Sequence, residues 1–485
     1  MPSPIRSFFN LLAFAALSGV LLWREHTWQT RVRELAPAST ASAFPAAGAD
    51  AAMESRIATL QASHGATQQN LIAAEGRASA LALEVETLKQ ALEAAQPEPT
   101  PAELAKQFQS QRGLAFDPPP VWVPAGLDQI LEKIRSGIES QLSAASAANR
   151  ARAALAMGYH SDPFDYREAL ISLAQMTSGG YYEASGHQFF YREEASLSRA
   201  DGREAFISGL SLALTTRQAG DRAENLHDPI NDDEALAARS LISGDANASR
   251  VRFSIADKLK LNFNQSGAPS APPPNYSAPA YLAEIWKFSQ DKGSLFVEAL
   301  AGKGGNEAVN AAYRRMPRSS AEILHPEELY LAEPPFEPVA VAIPSVTLDD
   351  KAPYFTNVAG EIGTYVTLRA WVGVDEATEA SEGWAGDRYM VWPGEEGVGD
   401  HLFWKSVWRT EKDAKEYFDR MRQILMQRFS IPWRREYDAV PNQFTVNDPR
   451  RIIRLILQPD GKTVTLANST DPSFAEALAK VSATW

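Results

Sequence analysis

The hydrophobic pattern at the start of the chain is a single apolar run. Residues 7–23 (SFFNLLAFAALSGVLLW) carry no charge. At a rise of about 1.5 Å per residue, such a helix reaches the short end of membrane-spanning length. Trp23 and Trp28 are of a residue type that is enriched at membrane interfaces. After a short tail at 1–6, the pattern predicts a transmembrane anchor at 7–23.

A cleaved signal peptide is the alternative interpretation of this run. The nearest A-x-A-like site, Ala41-Ser42-Ala43, lies well downstream, which favours an uncleaved signal anchor. Counting Lys and Arg alone places the C-terminal side in the cytoplasm, because Arg24, Arg31 and Arg33 lie directly after the run. A first hydrophobic segment near the N-terminus, however, commonly directs export of the downstream chain. We therefore expect a single-pass protein of the cell membrane with an exported, periplasmic soluble part.

The next pattern is a heptad repeat. Residues 24–52 form a linker that is rich in Ala, Ser and Pro from Ala36 onward. Residues 53–95 then show apolar positions that alternate in steps of four and three, which predicts a coiled coil. Homodimerisation, or pairing with another helix, is the functional interpretation, and a lone solvated helix is the alternative. The repeat positions are Met53, Ile57, Leu60, His64, Thr67, Leu71, Ala74, Ala78, Leu81, Val85, Leu88 and Leu92.

A Pro-rich linker at 96–103 separates the heptads from a part with mixed periodicity. Hairpins are predicted at 180–191 and 451–467, and short strands dominate past about Glu333. The sequence predicts an α+β fold class, with one domain at 104–335 and a C-terminal α+β portion at 336–485. The main predicted helices are Leu127–Ile138, Glu204–Arg217, Asp233–Phe253, Tyr281–Leu300 and Thr410–Phe429.

Composition and charge remove several classes of function. The formal net charge is -13 and no long Lys/Arg run occurs, which argues against nucleic-acid binding. The chain has no cysteine, which excludes disulfides, thiolate nucleophiles and cysteine zinc sites. It has 7 histidines but no HExxH spacing, no G-x-S-x-G elbow, and no phosphate loop at Gly302–Gly305. We therefore predict no catalytic residue, no cofactor and no metal.

Several stretches nevertheless resemble an uncharacterised bacterial and archaeal family of predicted zinc metallopeptidases of the HExxH, gluzincin-like type. The resemblance covers most of residues 104–430, and its most specific pieces end in ILHP at Pro326 and read GWAGDR from Gly383. The other pieces are Arg112–Leu114, Pro120–Val123, Gly180–Tyr182, Phe189–Tyr191, Ala237–Ala246, Gly304–Tyr313, Gly360–Glu361 and Trp404–Ala414.

The resemblance implies a zinc site that this sequence has lost. In an HExxH site, two His lie on one helix face and the Glu between them activates the metal-bound water. By the resemblance, the two His positions fall on Ser208 and Leu212, and the general-base position falls on Gly209. The third-ligand position falls on Ser243. The implied outcome is a metallopeptidase-like domain with a degenerate active site.

The remaining His and one Asp have structural interpretations beside functional ones. His187 is predicted at a hairpin surface, His160 in a loop, and His325 at a turn. Asp245 is predicted to cap or hydrogen-bond the degenerate helix, which is the helix that contains Ser208, Gly209 and Leu212. A relocated hydrolase site built from His160, Asp245 and His325 is the catalytic alternative.

The C-terminal portion contains a second set of candidates. Glu361, Asp387 and Arg388 are predicted to form a buried ion pair, which is structural by default. Core packing is the main interpretation of a group of tryptophans, with a ligand groove as the alternative. These are Trp371, Trp384, Trp392, Trp404 and Trp408.

Three functions remain open from the sequence. The first is a membrane-anchored, non-catalytic metallopeptidase-like protein that binds a peptide or protein partner as a scaffold at the cell envelope. The second is a structural tether that acts through its coiled coil. The third is a hydrolase with a relocated active site.

Overall fold

The computed structural model describes most of the chain from residue 49 onward. The described residues fall into two compact units, which meet in the sequence between Leu88 and Lys89. The described ranges are 49–95, 98–176, 179–223, 226–261, 278–342, 347, 352–394, 399–438, 440–448 and 451–482.

The predicted transmembrane anchor at 7–23 lies outside the described residues, as do the tail at 1–6 and most of the linker at 24–52. Within the described ranges, no helix is both long and apolar enough to cross a membrane. We therefore correct the fold class, which included a transmembrane helix. The predictions of a signal anchor and of a single-pass location in the membrane are corrected with it.

The first unit is described by one long helix, α1 (Ala49–Ala95). It begins before the first heptad position, Met53, and continues through Gly65 and Gly76, where a side chain would meet no other atom. The apolar side chains of the repeat are solvent-exposed along it, for example Leu60 at 59% and Leu88 at 62%. The helix prediction is therefore confirmed, and the predicted pairing stays untested.

The second unit begins with helices around a small sheet. Thr100 caps α2 (Pro101–Arg112) with a capping box that it forms with Glu103. The strand β1 (Val121–Ala125) pairs in parallel with β3 (Gln188–Arg192), and β3 pairs antiparallel with β2 (Gly180–Glu183). Between β1 and β2 the chain forms α3 (Leu127–Gln141), α4 (Ala144–Met157) and α5 (Tyr166–Gln175).

Three long helices come next along the chain and form the centre of this unit. They are α6 (Ala200–Ala219), α7 (Asp232–Leu261) and α8 (Ala280–Ala312). A turn of 3-10 helix at Gly220–Ala223 extends α6, and α8 has a kink at Gly304 and Gly305. The kink lies shortly after the end of the predicted helix Tyr281–Leu300.

Helices α7 and α8 touch through glycine. A Cβ placed on Gly244 of α7 would lie 2.1 Å from the carbonyl carbon of Gly293 in α8. A Cβ on Gly293 would lie 2.1 Å from the carbonyl oxygen of Ser240. Since real Cβ atoms do not approach so closely, only glycine permits this spacing, and it allows the flanking side chains to interlock.

The C-terminal part is a six-stranded antiparallel sheet in the order β4-β5-β6-β9-β8-β7. A short helix α9 (Ser320–Leu324) and a π-helical turn at Pro326–Tyr330 lead into it. The strands are β4 (Phe355–Asn357), β5 (Trp384–Trp392), β6 (His401–Trp408), β7 (Gln443–Asp448), β8 (Arg451–Leu457) and β9 (Thr463–Ser469).

Helices cover both faces of this sheet, which explains why β5 and β9 are buried along nearly their whole length. The row that contains Tyr389 and Trp404 packs with Tyr417 in one core cluster, and the row of Met390 and Phe403 packs with Phe474 in another. The helices of this part are α10 (Gly360–Arg369), α11 (Val374–Ser381), α12 (Glu411–Arg428) and α13 (Pro472–Ser482), with a 3-10 turn at Arg435–Asp438.

Candidate functional site

The α6–α7 pair contains the positions at which the resemblance places a lost zinc site. Glu204 on α6 accepts hydrogen bonds from Arg250 and Ser254 on α7. Ser208 and Leu212 lie one and two turns after Glu204 on the same side of α6, and Ser243 lies about two turns before Arg250 on the same side of α7. The three positions therefore share one face, as the resemblance implies for metal ligands. Ser208 and Ser243 are half-buried, and Leu212 is 42% exposed.

The general-base position is closed by backbone. Gly209 packs against β2, so that a Cβ on it would lie 2.6 Å from the amide nitrogen of Gly180 and 2.8 Å from its Cα. A Cβ on Gly179 would lie 1.8 Å from the carbonyl oxygen of Ala205 in α6. A glutamate at position 209 would require the strand to move away from the helix.

Asp245 lies in the interior of α7 and has partners from two other helices. Its two carboxylate oxygens each accept a 2.7 Å hydrogen bond from Arg112 of α2. The hydroxyl of Tyr313, directly after α8, donates at 2.8 Å, and Ser249 donates at 3.0 Å. Both members of the Arg112–Asp245 pair are about 1% exposed. Asp245 was predicted to cap or hydrogen-bond the degenerate helix, whereas its hydrogen-bond partners lie on α2, directly after α8 and one turn further along α7 itself.

The histidine candidates do not meet at one site. His187 donates from Nε2 to the carbonyl of Pro118 at 2.7 Å, and its Nδ1 lies 2.7 Å from the Tyr182 hydroxyl, which secures the β2–β3 turn. His160 contacts the edge of Phe164 in a loop. His325 lies 2.8 Å from a carboxylate oxygen of Glu361, which raises the pKa of the imidazole. Among the described residues, no group of three or more His, Asp or Glu is arranged to hold a metal ion.

The ion pair predicted among Glu361, Asp387 and Arg388 is wrong. Glu361 pairs with His325, and burial raises the pKa of the Glu361 carboxyl. Asp387 accepts hydrogen bonds from the backbone amides of Ala359 and Gly360 at 3.0 and 2.9 Å. These amides lie at the N-terminus of α10, where a carboxylate is stabilised by the helix dipole.

The tryptophans complete the environment of Asp387. The indoles of Trp384 and Trp404 donate to its two oxygens at 3.0 and 2.9 Å. Complete burial outweighs these four donors and raises the pKa of Asp387 to about 6. The core-packing prediction is confirmed for Trp384, Trp392, Trp404 and Trp408, which are at most 2% exposed, whereas Trp371 is 37% exposed.

A cavity of about 90 Å³ lies between α4, α5, α7, α8, α10 and the β4–β5 edge. Its aromatic wall includes Tyr159, Tyr166, Phe355 and Tyr389. Five of its lining side chains each have a buried polar atom without a hydrogen-bond partner among the described residues. These atoms are His227 Nδ1, Asp233 Oδ2, Arg239 Nε, Tyr281 Oη and Trp286 Nε1.

Orphaned buried polar atoms are rare in folded proteins, and five in one cavity identify a place that is built for an occupant. An occupant can be ordered water or a small polar molecule. This cavity, rather than any histidine cluster, is therefore the candidate functional site. Sequence reasoning missed it because its residues are far apart in the chain, and the only signal was a set of polar side chains on otherwise apolar helix faces.

The two arginines that line the cavity differ in their hydrogen-bond partners. Arg150 donates to Asp228 at 3.1 Å, to Asp232 at 2.7 Å and to the carbonyl of Pro229 at 2.9 Å. The guanidinium of Arg239 donates to the carbonyl of Leu226 and keeps its Nε unpartnered. Burial depresses the pKa of His227 to about 3, so this imidazole is neutral at physiological pH.

Asp233 is the buried carboxyl of the cavity and is 2% exposed. Its Oδ1 accepts a 3.0 Å hydrogen bond from the amide of Ser320 at the start of α9. Burial, with added repulsion from Asp387 and Glu361, raises its pKa to about 8. The carboxyl is therefore mostly protonated at neutral pH and can donate a hydrogen bond.

Comparison with known proteins adds one match. Residues 351–479, which contain the six-stranded sheet with α10 to α12 and the first part of α13, are similar to the family described as a domain of unknown function, DUF8575. No curated protein matches the chain. No solved structure matches it either.

The raised pKa of Asp233 predicts a specific dependence of stability on pH. A carboxyl with a raised folded-state pKa contributes stability that is complete below its unfolded value of 3.8 and is lost as the pH rises through about 8. Asp233→Asn removes the titration and keeps an acceptor for Ser320. Between pH 5 and pH 9, we expect the wild type to lose about 4 kcal/mol more unfolding free energy than the variant.

Urea unfolding at several pH values measures this difference. Glu234→Gln is the control, since it removes an exposed carboxyl from the same turn of α7 and should follow the wild-type pH dependence. Parallel wild-type and Asp233→Asn curves across this range would show that Asp233 does not titrate with a raised pKa.

Proposed function

We propose that this protein is a non-catalytic, metallopeptidase-like binding protein. The contact between Gly209 and the backbone of Gly180 carries the proposal, because it leaves no room for a general-base side chain at the position that the resemblance assigns to one. Ser208, Leu212 and Ser243 add to it, since leucine cannot bind zinc and serine is a poor zinc ligand.

The frame around these positions supports a protein that keeps the fold for another purpose. The Arg112–Asp245 pair is fully desolvated and bidentate, and Tyr313 completes it. Removal of one partner of such a pair leaves a buried charge and strongly destabilises a protein. Loss of catalysis alone would not explain why the face of α6 and α7 beside this hydrogen-bond network stays partly exposed to solvent.

That face offers contacts for a peptide or protein partner. Leu212 on α6 and Val251 and Ile255 on α7 are 42%, 40% and 55% exposed. The ion pair of Glu204 with Arg250 lies beside them, half-buried, and provides a polar rim. Exposed apolar side chains with a polar border are typical of recognition surfaces.

The metal chemistry is the first test. Wild-type protein exposed to zinc and then freed of excess metal should retain no stoichiometric zinc and show no peptidase activity. The triple variant Ser208→His, Leu212→His, Ser243→Glu should bind about one zinc per chain, because two His at i and i+4 then face a carboxylate.

Elemental analysis and zinc titration measure both outcomes. The matched control keeps both His and carries Ser243→Gln, which should bind zinc at least about tenfold more weakly because an amide is a poorer ligand than a carboxylate. One tightly held zinc with peptidase activity in the wild type would contradict the non-catalytic assignment. A triple variant that folds and binds no zinc would contradict the metallopeptidase-like register.

The binding surface is the second test. Peptides selected from a displayed library on the wild-type protein should lose affinity for Leu212→Asp by about tenfold or more, because a charge replaces a central apolar contact. Leu295→Asp is the control, since Leu295 is 57% exposed on α8, outside the face that α6 and α7 share. Fluorescence anisotropy with the selected peptides gives the affinities, and equal losses in both variants would count against this surface.

A structural tether is the second candidate, and the exposed seam of α1 favours it. Leu81, Val85 and Leu88 are 60%, 48% and 62% exposed at heptad spacing, and a second helix would bury them. Pairing with a second copy of the chain is the simplest arrangement that does so.

Charge substitution on the seam tests the tether. Leu81→Glu with Leu88→Glu should convert a dimer of the full chain to a monomer, because the introduced carboxylates would be desolvated against each other. Leu83→Glu is the control, since Leu83 is 71% exposed and lies off the seam. Sedimentation equilibrium distinguishes the states, and a wild-type chain that is monomeric at micromolar concentration would remove this candidate.

A further inference from the structure

We infer that the cavity around Arg239 and Tyr281 is a binding site for a small molecule that carries a carboxylate. This inference goes beyond the proposed function, since the cavity does not include the face of α6 and α7 described there. It rests on the hydrogen-bond donors and the charges that line the cavity, and on the volume of the cavity.

The unpartnered atoms are mainly hydrogen-bond donors. The Nε of Arg239 and the indole nitrogen of Trp286 can only donate. The hydroxyl of Tyr281, which belongs to a side chain that is 6% exposed, is free to donate as well. An occupant that satisfies these groups must present acceptor atoms.

The charge in the cavity selects an anionic acceptor. Arg150 is already bound by two carboxylates and a carbonyl, so its charge is neutralised within the fold. Arg239 donates to a carbonyl, and among the described residues no carboxylate is hydrogen-bonded to it, although the charge of Asp232 acts on it from a longer distance. A carboxylate is the acceptor that a planar guanidinium binds best.

Asp233 does not oppose such a ligand at neutral pH. Its Oδ2 is unpartnered, and burial raises the pKa of this carboxyl to about 8. In the protonated form it adds a donor to the cavity instead of a negative charge. Burial is the main cause of this rise and the charges of Asp387 and Glu361 add to it, whereas the hydrogen bonds from Ser320 oppose it.

The size and walls of the cavity limit the rest of the ligand. At about 90 Å³ it is smaller than the roughly 150 Å³ engineered cavity that accommodates benzene, so the ligand has only a few non-hydrogen atoms. The rings of Tyr159, Tyr166 and Tyr389 and the side chain of Leu236 suit a short apolar body. Acetate and propionate represent this class.

Calorimetry on the full chain with acetate and propionate tests the inference, with acetamide and propionamide as uncharged analogues of the same shape. We expect a carboxylate to bind and its amide to bind at least about tenfold more weakly, because the amide lacks the charge that Arg239 recognises. Arg239→Met should weaken carboxylate binding by about tenfold or more. Arg222→Met is the control, since Arg222 also donates to a backbone carbonyl, that of Tyr313, and does not line the cavity.

Tyr281→Phe provides a second readout, which still tests the inference if the Arg239→Met protein does not fold. Because the hydroxyl has no hydrogen-bond partner among the described residues, its removal should leave the thermal midpoint of the ligand-free protein unchanged or higher. The same variant should lose about threefold or more in carboxylate affinity. Absent carboxylate binding, amide binding of equal strength, or unchanged affinity in the cavity variants would each overturn the inference and leave ordered water as the occupant.

Discussion

The burial of two carboxyl groups on α7 constrains the rest of the second unit. Asp245 requires Arg112 and Tyr313, which brings α2 and the end of α8 against the middle of the helix. Asp233 requires the amide of Ser320, which brings α9 to the helix start. A buried ionised or polar group that lacks its partners is costly, so these contacts fix the neighbours of α7 more strictly than apolar packing does.

The charges of the two buried carboxyl groups are neutralised in different ways. Asp245 is matched by a bidentate guanidinium, which compensates its charge directly. Asp233 has no cation at bonding distance among its hydrogen-bond partners, and burial raises its pKa so that the group is neutralised by a proton instead. The Arg112–Asp245 pair closes the interior around α7, whereas the protonated Asp233 leaves its Oδ2 free to face the cavity.

The degenerate zinc positions and the cavity differ in which polar side chains they contain. At Ser208, Leu212 and Ser243 the chemistry implied by the resemblance is absent, and Gly209 is held against β2 so that it cannot return by a single substitution. In the cavity, five polar side chains each have an atom without a hydrogen-bond partner among the described residues. We therefore propose ligand recognition in the cavity and partner recognition on the exposed face of α6 and α7.

The sequence by itself determined the local elements. Heptad spacing predicted α1, the apolar faces predicted α6 and α7, and the strand pattern at 451–467 predicted the β8–β9 hairpin, because these patterns act over a few residues. It also identified Asp245, His325 and Asp387 as residues with roles inside the fold. The transmembrane prediction, which rested on the apolar run at 7–23 and its flanking tryptophans, is corrected because no helix among the described residues is long and apolar enough to cross a membrane.

Only the tertiary structure decided which side chains meet. Arg112 and Asp245, or His325 and Glu361, become partners because helices from distant parts of the chain are packed together, and no local pattern specifies that. The same holds for the cavity, where Asp233, Arg239 and Tyr281 show no distinguishing pattern on their own helices. A site defined by missing hydrogen bonds is visible only when every neighbour is known, since an unpartnered atom is a property of the whole packed interior.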